Sequence, residues 1–295
     1  AAVNSPYLYV YCLCKDYPSL HDLQIRGIGS EPVLLLSHRG VVVAHSRVAW
    51  KAASLRKQAK EVSWITSRVR EHEYVVEEIM RNYAILPMKF LTLFRSERSL
   101  LNTLDPHLPV LLNYLEHLHD KEEWSLKVYS NKIKGLKYLQ ESDAYLGRMN
   151  RKTPSTPGER YLHMKRMQEL VLERFGENLH EMVENVYEML SHLSEEGKTL
   201  NIYGRTVTKS GEEDVVFNGV FLVSKQKFET FREKVKSLKE CYRPRGLSFE
   251  LTGPWPPYNF CPNMEETVSN KVRPLKKSKI ELSLRGAKAA KQSQM

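Results

Sequence analysis

The sequence predicts an α+β fold in two domains followed by a basic tail. Three observations carry this. Strand-length apolar runs, rich in β-branched and aromatic residues, sit near both ends of the chain. Between them, apolar residues recur at three- and four-residue steps, the spacing of amphipathic helices. A turn-rich, charged stretch, "NRKTPSTPGER" at residues 150–160, reads as a loop in the middle. The length of 295 residues suits two domains.

Taken in order, "YLYVYCL" at Tyr7–Leu13 reads as a strand. "PVLLLSHRGVVVAHSRV" reads as two strands joined at Ser37–Gly40, and its nearly unbroken apolar character predicts burial on both faces. From Trp50 to about Tyr83 the pattern turns helical through Ala52, Leu55, Ala59, Val62, Ile65 and Val69, with a second helical piece at Tyr74–Arg81. "ILPMKFLTLF" reads as a buried extended segment, and Leu100–Leu118 as helix broken at Asp105-Pro106. In "EWSLKVYS", Trp124, Leu126 and Val128 alternate inward, as on a strand with one buried face. The first domain is therefore set at residues 1–130.

The second domain, residues 131–262, opens with a long helical extension at about 158–197, which would span ~50 Å if Gly176 does not interrupt it. Strands follow at 199–208 and 213–224, joined by a Ser210-Gly211 turn. A helix at Lys225–Cys241 then presents Phe228, Phe231, Val235 and Leu238, and "GLSFELTG" forms a last strand. The order α, β, β, α, β resembles a ferredoxin-like arrangement.

Composition excludes several function classes. No apolar run approaches the ~20 residues of a membrane span, so no membrane association is expected. The N-terminal "AAVNSPYLYVYCL" lacks a basic region before an apolar core, so no signal peptide is expected and the cytoplasm is the default location. Cys12 and Cys14 share a strand face and read as small buried residues; with no partner spacing for a metal, none is expected. Phosphate-loop, dinucleotide, zinc-hydrolase and nucleophile-elbow motifs are all missing. His72, set among charges in "REHEY", reads as a surface or interface histidine rather than a general base. The adjacent pairs Glu77-Glu78, Glu122-Glu123 and Glu195-Glu196 do not face one another as catalytic carboxylates must. No catalytic residue and no cofactor is assigned.

The charge of +10 is unevenly placed. Residues 271–295 hold eight basic side chains against Glu281 alone, +7 of the total, which leaves +3 for the rest. A basic tail at residues 263–295 suits an acidic partner or nucleic acid. The alternative function class is thus a nucleic-acid-binding ferredoxin-like module that uses this tail. Its strand "FNGVFLV" fits poorly, since Asn218 stands where Lys or Arg is wanted and Phe221 where a small residue is wanted.

The most distinctive stretch is "ELTGPWPPYNFCP". Proline cannot donate to a sheet ladder, so the strand is expected to end here. Gly253 permits a turn, and Pro254, Pro256 and Pro257 fix the course of Trp255, Tyr258 and Phe260. Either these rings seal the protein's own core or domain junction, or they form a rigid apolar anchor for a partner.

This "LTGPWPPYNF" run resembles the signature of the gas vesicle protein F/L family. "HEYVVEEIMRNYAILPMKFLTLF", with His72, Leu86, Pro87 and Phe90, is similar to the family's first-domain segment, and "EWSLKVY" and "YLYVYC" fit its strands. The resemblance spans residues 7–260. One departure matters: where the family is expected to favour Arg-Phe-Gly-Thr this chain has Lys89-Phe90-Leu91-Thr92, with Leu91 in place of glycine. The resemblance implies two α+β domains, the second a modified ferredoxin-like fold with extra helices. It implies a non-enzymatic accessory or minor structural protein of gas vesicles, organelles that give buoyancy. Its partners would be the hydrophobic shell protein and other accessory proteins, with the gas-facing surface as the implied location.

Overall fold

A computed structural model describes residues 7–50, 58, 60–150, 156–202 and 213–262. The α+β class holds: two antiparallel sheets are each covered by helices. Two compact units result, residues 1–120 with 256–295, and residues 121–255.

In unit 1, strands β1 (Tyr7–Lys15), β2 (Leu34–His38), β3 (Val41–Val48) and β4 (Ile85–Pro87) lie in the order β2-β3-β1-β4, and β5 (Leu93–Phe94) also pairs with β1. β1 and β3 are central and buried along nearly their whole length. β2, expected to be buried on both faces, is half-exposed because it is the edge strand. Helix α1 (Val62–Met80) is one continuous helix, not two pieces, and buries Ile65, Val69, His72, Val75, Val76 and Ile79. The expected start of this helix, including Ala52, Leu55 and Ala59, lies outside the described residues. Helices α2 (Glu97–Leu104) and α3 (Leu108–His117) are separated by a 3-10 turn at Asp105–His107, where the sequence placed a break; α3 packs on β1 and β4, and α2 on β5. A bulge between Val10 and Cys12 shifts the alternation of β1, so Tyr9 and Tyr11 and then Cys12 and Cys14 all join the cluster that contains α1. Burial raises both thiols, Cys14 to about 12, which leaves them protonated and inert at neutral pH.

Unit 2 begins one strand earlier than the sequence suggested. β6 (Lys121–Asn131) was assigned to the first domain, but it pairs with β8 (Glu213–Ser224) on one side and β9 (Leu247–Trp255) on the other. Backbone pairing, not proximity in sequence, sets its membership. With β7 (Glu196–Thr199) on the far edge, the order is β7-β8-β6-β9. Helices α4 (Lys132–Ser142), α5 (Ala144–Asn150) and α6 (Pro157–Ser191) lie between β6 and β7, and α7 (Phe228–Tyr242) between β8 and β9. α6 is unbroken across Gly176 and stops at Ser191, earlier than expected, because β7 already begins at Glu196. A capping box starts it: Thr156 accepts from the Glu159 amide while the Glu159 carboxylate accepts from the Thr156 amide, and Pro157 occupies the first turn. The core is apolar, formed by Leu126, Val128, Phe217, Phe221 and Phe249 from the sheet beneath Met182, Val186, Phe231 and Leu238. Phe217 and Phe221, the rings of the "FNGVFLV" strand, therefore face the helix-covered core and offer no stacking surface. The Ser210-Gly211 turn and the basic tail lie outside the described residues.

β9 does not stop at Gly253. It runs on through Pro254 to Trp255, since an edge strand tolerates a residue that cannot donate to the ladder. Gly253 has φ 140°, and a Cβ there would lie 2.9 Å from the Trp124 ring and 3.0 Å from the Glu123 carbonyl, so only glycine passes.

Candidate functional site

The sequence-selected residues divide between the two units. His72, Leu86, Pro87, Phe90, Pro256, Pro257, Tyr258 and Phe260 belong to unit 1, and Gly253, Pro254 and Trp255 to unit 2.

In unit 1 they surround a buried polar network. β1 brings Tyr9 and Tyr11 to the face that α1 covers, and α1 brings His72 to the same place. His72 is fully buried, which corrects the expectation of a surface or interface histidine. The charged residues beside it in sequence belong to the other faces of its helix, and a neighbourhood in sequence is not a neighbourhood in space. Its Nε2 lies 3.0 Å from the Met88 carbonyl and 3.3 Å from the Tyr258 hydroxyl, and its Nδ1 lies 2.9 Å from the Tyr9 hydroxyl. The tautomer that satisfies these groups carries hydrogen on Nε2, donates to Met88, and accepts from Tyr9 at Nδ1. Tyr9 in turn accepts from the Leu91 amide at 3.3 Å. Tyr258 donates to Glu73 Oε1 at 3.1 Å.

Aromatic rings enclose this chain of bonds. His72 stacks on Tyr11 at 5.7 Å and meets Tyr9 and Phe90 edge-on at 5.6 and 6.1 Å. Tyr11 accepts from the Ile28 amide at 2.8 Å and donates to Ser46, which donates to the Pro32 carbonyl. Gly27 makes room for that hydroxyl, since a Cβ there would lie 2.1 Å from it. Burial raises the Tyr9 and Tyr11 hydroxyls above the ordinary phenol range, and burial followed by the Glu73 charge raises Tyr258 well above it. All three remain neutral donors.

β4 holds the floor. Leu86 and Pro87 pair with Leu13 and Cys12 of β1, and the Met88 amide donates to the Tyr11 carbonyl at 2.8 Å. Leu91, where the resemblance led to an expectation of glycine, sits at φ 68°, in the region that favours glycine. The segment expected to be extended throughout therefore turns between β4 and β5. The cost of that conformation is offset because the Leu91 side chain packs on the unit 1 core and its amide reaches Tyr9.

The proline-rich run splits at its middle. Pro256, Pro257 and Phe260 are buried within unit 1, with the Tyr258 hydroxyl directed to His72. Trp255 is half-buried and donates to Thr252 Oγ1 at 3.1 Å, and Pro254 is exposed. Sequence reasoning missed Tyr9, Tyr11 and Glu73. Tyr9 and Tyr11 alternate on one face of the first strand, and Glu73 adjoins the selected histidine; those were the available signals. The network holds one arrangement of segments in place. Both His72 nitrogens are engaged by protein groups, which ties α1 to β1 and to the stretch after β4. Among the described residues no cluster of three metal-ligating side chains occurs, and no helix is long and apolar enough to cross a membrane.

Comparison with known proteins agrees with this architecture. Residues 7–262 match the model of a family described as gas vesicle synthesis protein GvpL/GvpF. The chain is 26% identical over 267 residues to a gas vesicle protein L of Streptomyces sp. (strain CB03234), covering 88% of this chain and 94% of that one. Its fold resembles the crystal structure of gas vesicle protein GvpF from Anabaena sp. PCC7120, with TM-score 0.64 at 19% identity, over 88% of this chain and 99% of that one. GvpF from Microcystis aeruginosa gives TM-score 0.58, also at 19% identity, over 87% and 99%.

Proposed function

The chain belongs to the GvpL/GvpF family of gas vesicle synthesis proteins, and on that premise we propose that it is a non-enzymatic accessory protein that binds the hydrophobic shell protein and other accessory proteins during vesicle assembly. The family match across residues 7–262 carries this reading. On this reading the protein works with the gas vesicle in the cytoplasm and meets the shell at its gas-facing surface. Lys121–Trp255 supports a modified ferredoxin-like assignment. Its elements run strand, helices, strand, strand, helix, strand, with the first and third strands adjacent at the centre, and α4 to α6 are the additional helical material.

The buried His72 network favours a positioning role for Tyr258 and Phe260. Within the same motif, Trp255 and Pro254 keep surface that a partner can cover. Trp255 is accordingly the anchor assigned to the shell protein. Trp255→Ala tests it by co-purification with that protein. A half-buried ring on an edge strand leaves the fold standing, so the melting temperature should change little while capture falls at least ~10-fold, the loss that ~1.4 kcal/mol of binding energy produces. Unchanged capture would remove Trp255 from the interface. A collapse of the fold would return it to the core.

A further inference from the structure

We propose that the amino-terminal half of α6 is a self-association surface, pairing antiparallel with the same segment of a second copy of this chain. α6 buries Met182, Val186 and Leu190 in the unit 2 core in its second half, and in its first half it packs Met167, Leu170 and Val171 against α4 and α5. A further sector of that first half faces solvent. At ~100° per residue, Tyr161, Leu162, Lys165, Glu169 and Leu172 fall within about 100° of one another. Tyr161 and Leu162 are each 57% exposed and Leu172 is 47% exposed, and Lys165 and Glu169 are also exposed. Single exposed apolar residues are ordinary on a helix, but three large ones gathered in one open sector mark a surface that something covers.

The order of residues identifies what covers them. The sector is self-complementary about Met167. Leu162 and Leu172 stand five residues to either side, and Lys165 and Glu169 two residues to either side. An antiparallel pair with its twofold axis at residue 167 therefore sets leucine against leucine and lysine against glutamate, each contact made twice, as an isologous interface requires. Gly158 and Gly176, nine residues to either side, lie in the same sector with no atom within 4 Å of where a Cβ would stand, which lets the two backbones approach at both ends. A parallel pair would instead oppose lysine to lysine. The 158–176 segment spans ~28 Å, a contact at the small end of specific interfaces, so the dimer should dissociate in the micromolar range.

Charge exchange tests this on the full chain by sedimentation velocity between ~1 and ~100 µM. The wild type should shift from monomer toward dimer across that range. Lys165→Glu alone and Glu169→Lys alone should each weaken the dimer at least ~10-fold, because each opposes like charges twice. An equimolar mixture of the two variants should recover it, since one chain then presents two acidic groups and the other two basic groups. The double exchange within one chain should dimerise like the wild type. All of these side chains are exposed, so the fold is not at stake. A wild type that stays monomeric, as it would if this face serves a different protein, overturns the proposal. So does a dimer indifferent to the single exchanges, or a mixture that remains monomeric.

Discussion

The cores of the two units solve the same packing problem with different chemistry. Unit 2 is filled almost wholly by apolar side chains, with Phe221, Phe231, Leu126 and Val128 fully buried between one sheet face and two helices. Unit 1 buries Tyr9, Tyr11 and His72 completely at the centre of its core and joins their polar atoms in a bonded chain. An apolar core accepts any arrangement that fills the volume. A core of hydroxyls and imidazole accepts only arrangements in which each polar atom meets a partner. The loop after β4 and the segment from Pro256 to Phe260 have little regular structure of their own, and both are tied to that network, through Met88, Leu91 and Tyr258. Directional bonds suit the unit that must hold irregular segments.

Removing volume should hurt unit 2 most. Phe231→Ala deletes a fully buried ring that packs 5.5 Å from Phe221, and should cost ~3–5 kcal/mol. Peptide-resolved hydrogen exchange is the measurement. Protection should fall across β6, β8 and α7, while β1 and β3 keep theirs. Loss of protection in both units would show that the two cores are energetically one.

Removing a single oxygen should hurt unit 1 in a way that volume cannot explain. Tyr9→Phe keeps the ring but deprives His72 Nδ1 and the Leu91 amide of the same partner. Stranding buried polar groups costs ~1–3 kcal/mol. Urea denaturation should show that loss, and exchange should localise it to α1 and residues 88–92. A neutral effect would mean that the network is decorative, and the contrast between the cores would fail.

How much of this the sequence revealed follows from the same contrast. Apolar periodicity made the helices and strands of unit 2 readable, including the Phe228, Phe231, Val235 and Leu238 face of α7. The proline made the break at Asp105-Pro106 in unit 1 readable. Membership of β6 was not, because inward alternation of Leu126 and Val128 shows that a strand has a buried face but not which sheet it joins. Trp255 within a strand was misjudged from a rule about central strands; only the sheet order reveals that β9 is an edge. His72 was flagged but placed on the surface, since its partners come from β1, from the stretch after β4, and from a segment 186 residues away. Pairings of that range leave no local pattern. The proline-rich motif was legible as a constraint on the backbone, and its division between a buried half and a partly exposed half was not.

The smallest effect is a slope with pH, and it too should separate the units. His45 and His72, the buried histidines among the described residues, both belong to unit 1. His45 lies on β3 with Nδ1 3.4 Å from the Val43 carbonyl and, among the described residues, no partner for Nε2. Burial holds its imidazole below the ordinary histidine range; the Arg47 charge adds to this, and the Val43 carbonyl and Glu97 oppose it. The folded protein therefore keeps His45 neutral at a pH where the unfolded chain, with a pKa of ~6.5, already binds a proton. Stability contributed by neutral burial is present above that value and drains away as the pH falls below it. The carboxylates held low by partners in unit 1, Asp16 beside His21, Asp105 beside His38 and Glu116 beside Lys15, begin to fail only near pH ~4, so they do not obscure the window above. Between pH 7 and 5.5 the denaturation midpoint of unit 1 should decline by less than the Tyr9→Phe loss, with little change in unit 2. His45→Leu, which cannot protonate, should flatten the decline. An equal decline in His45→Leu would assign the slope to another group and leave β3 without a part in it.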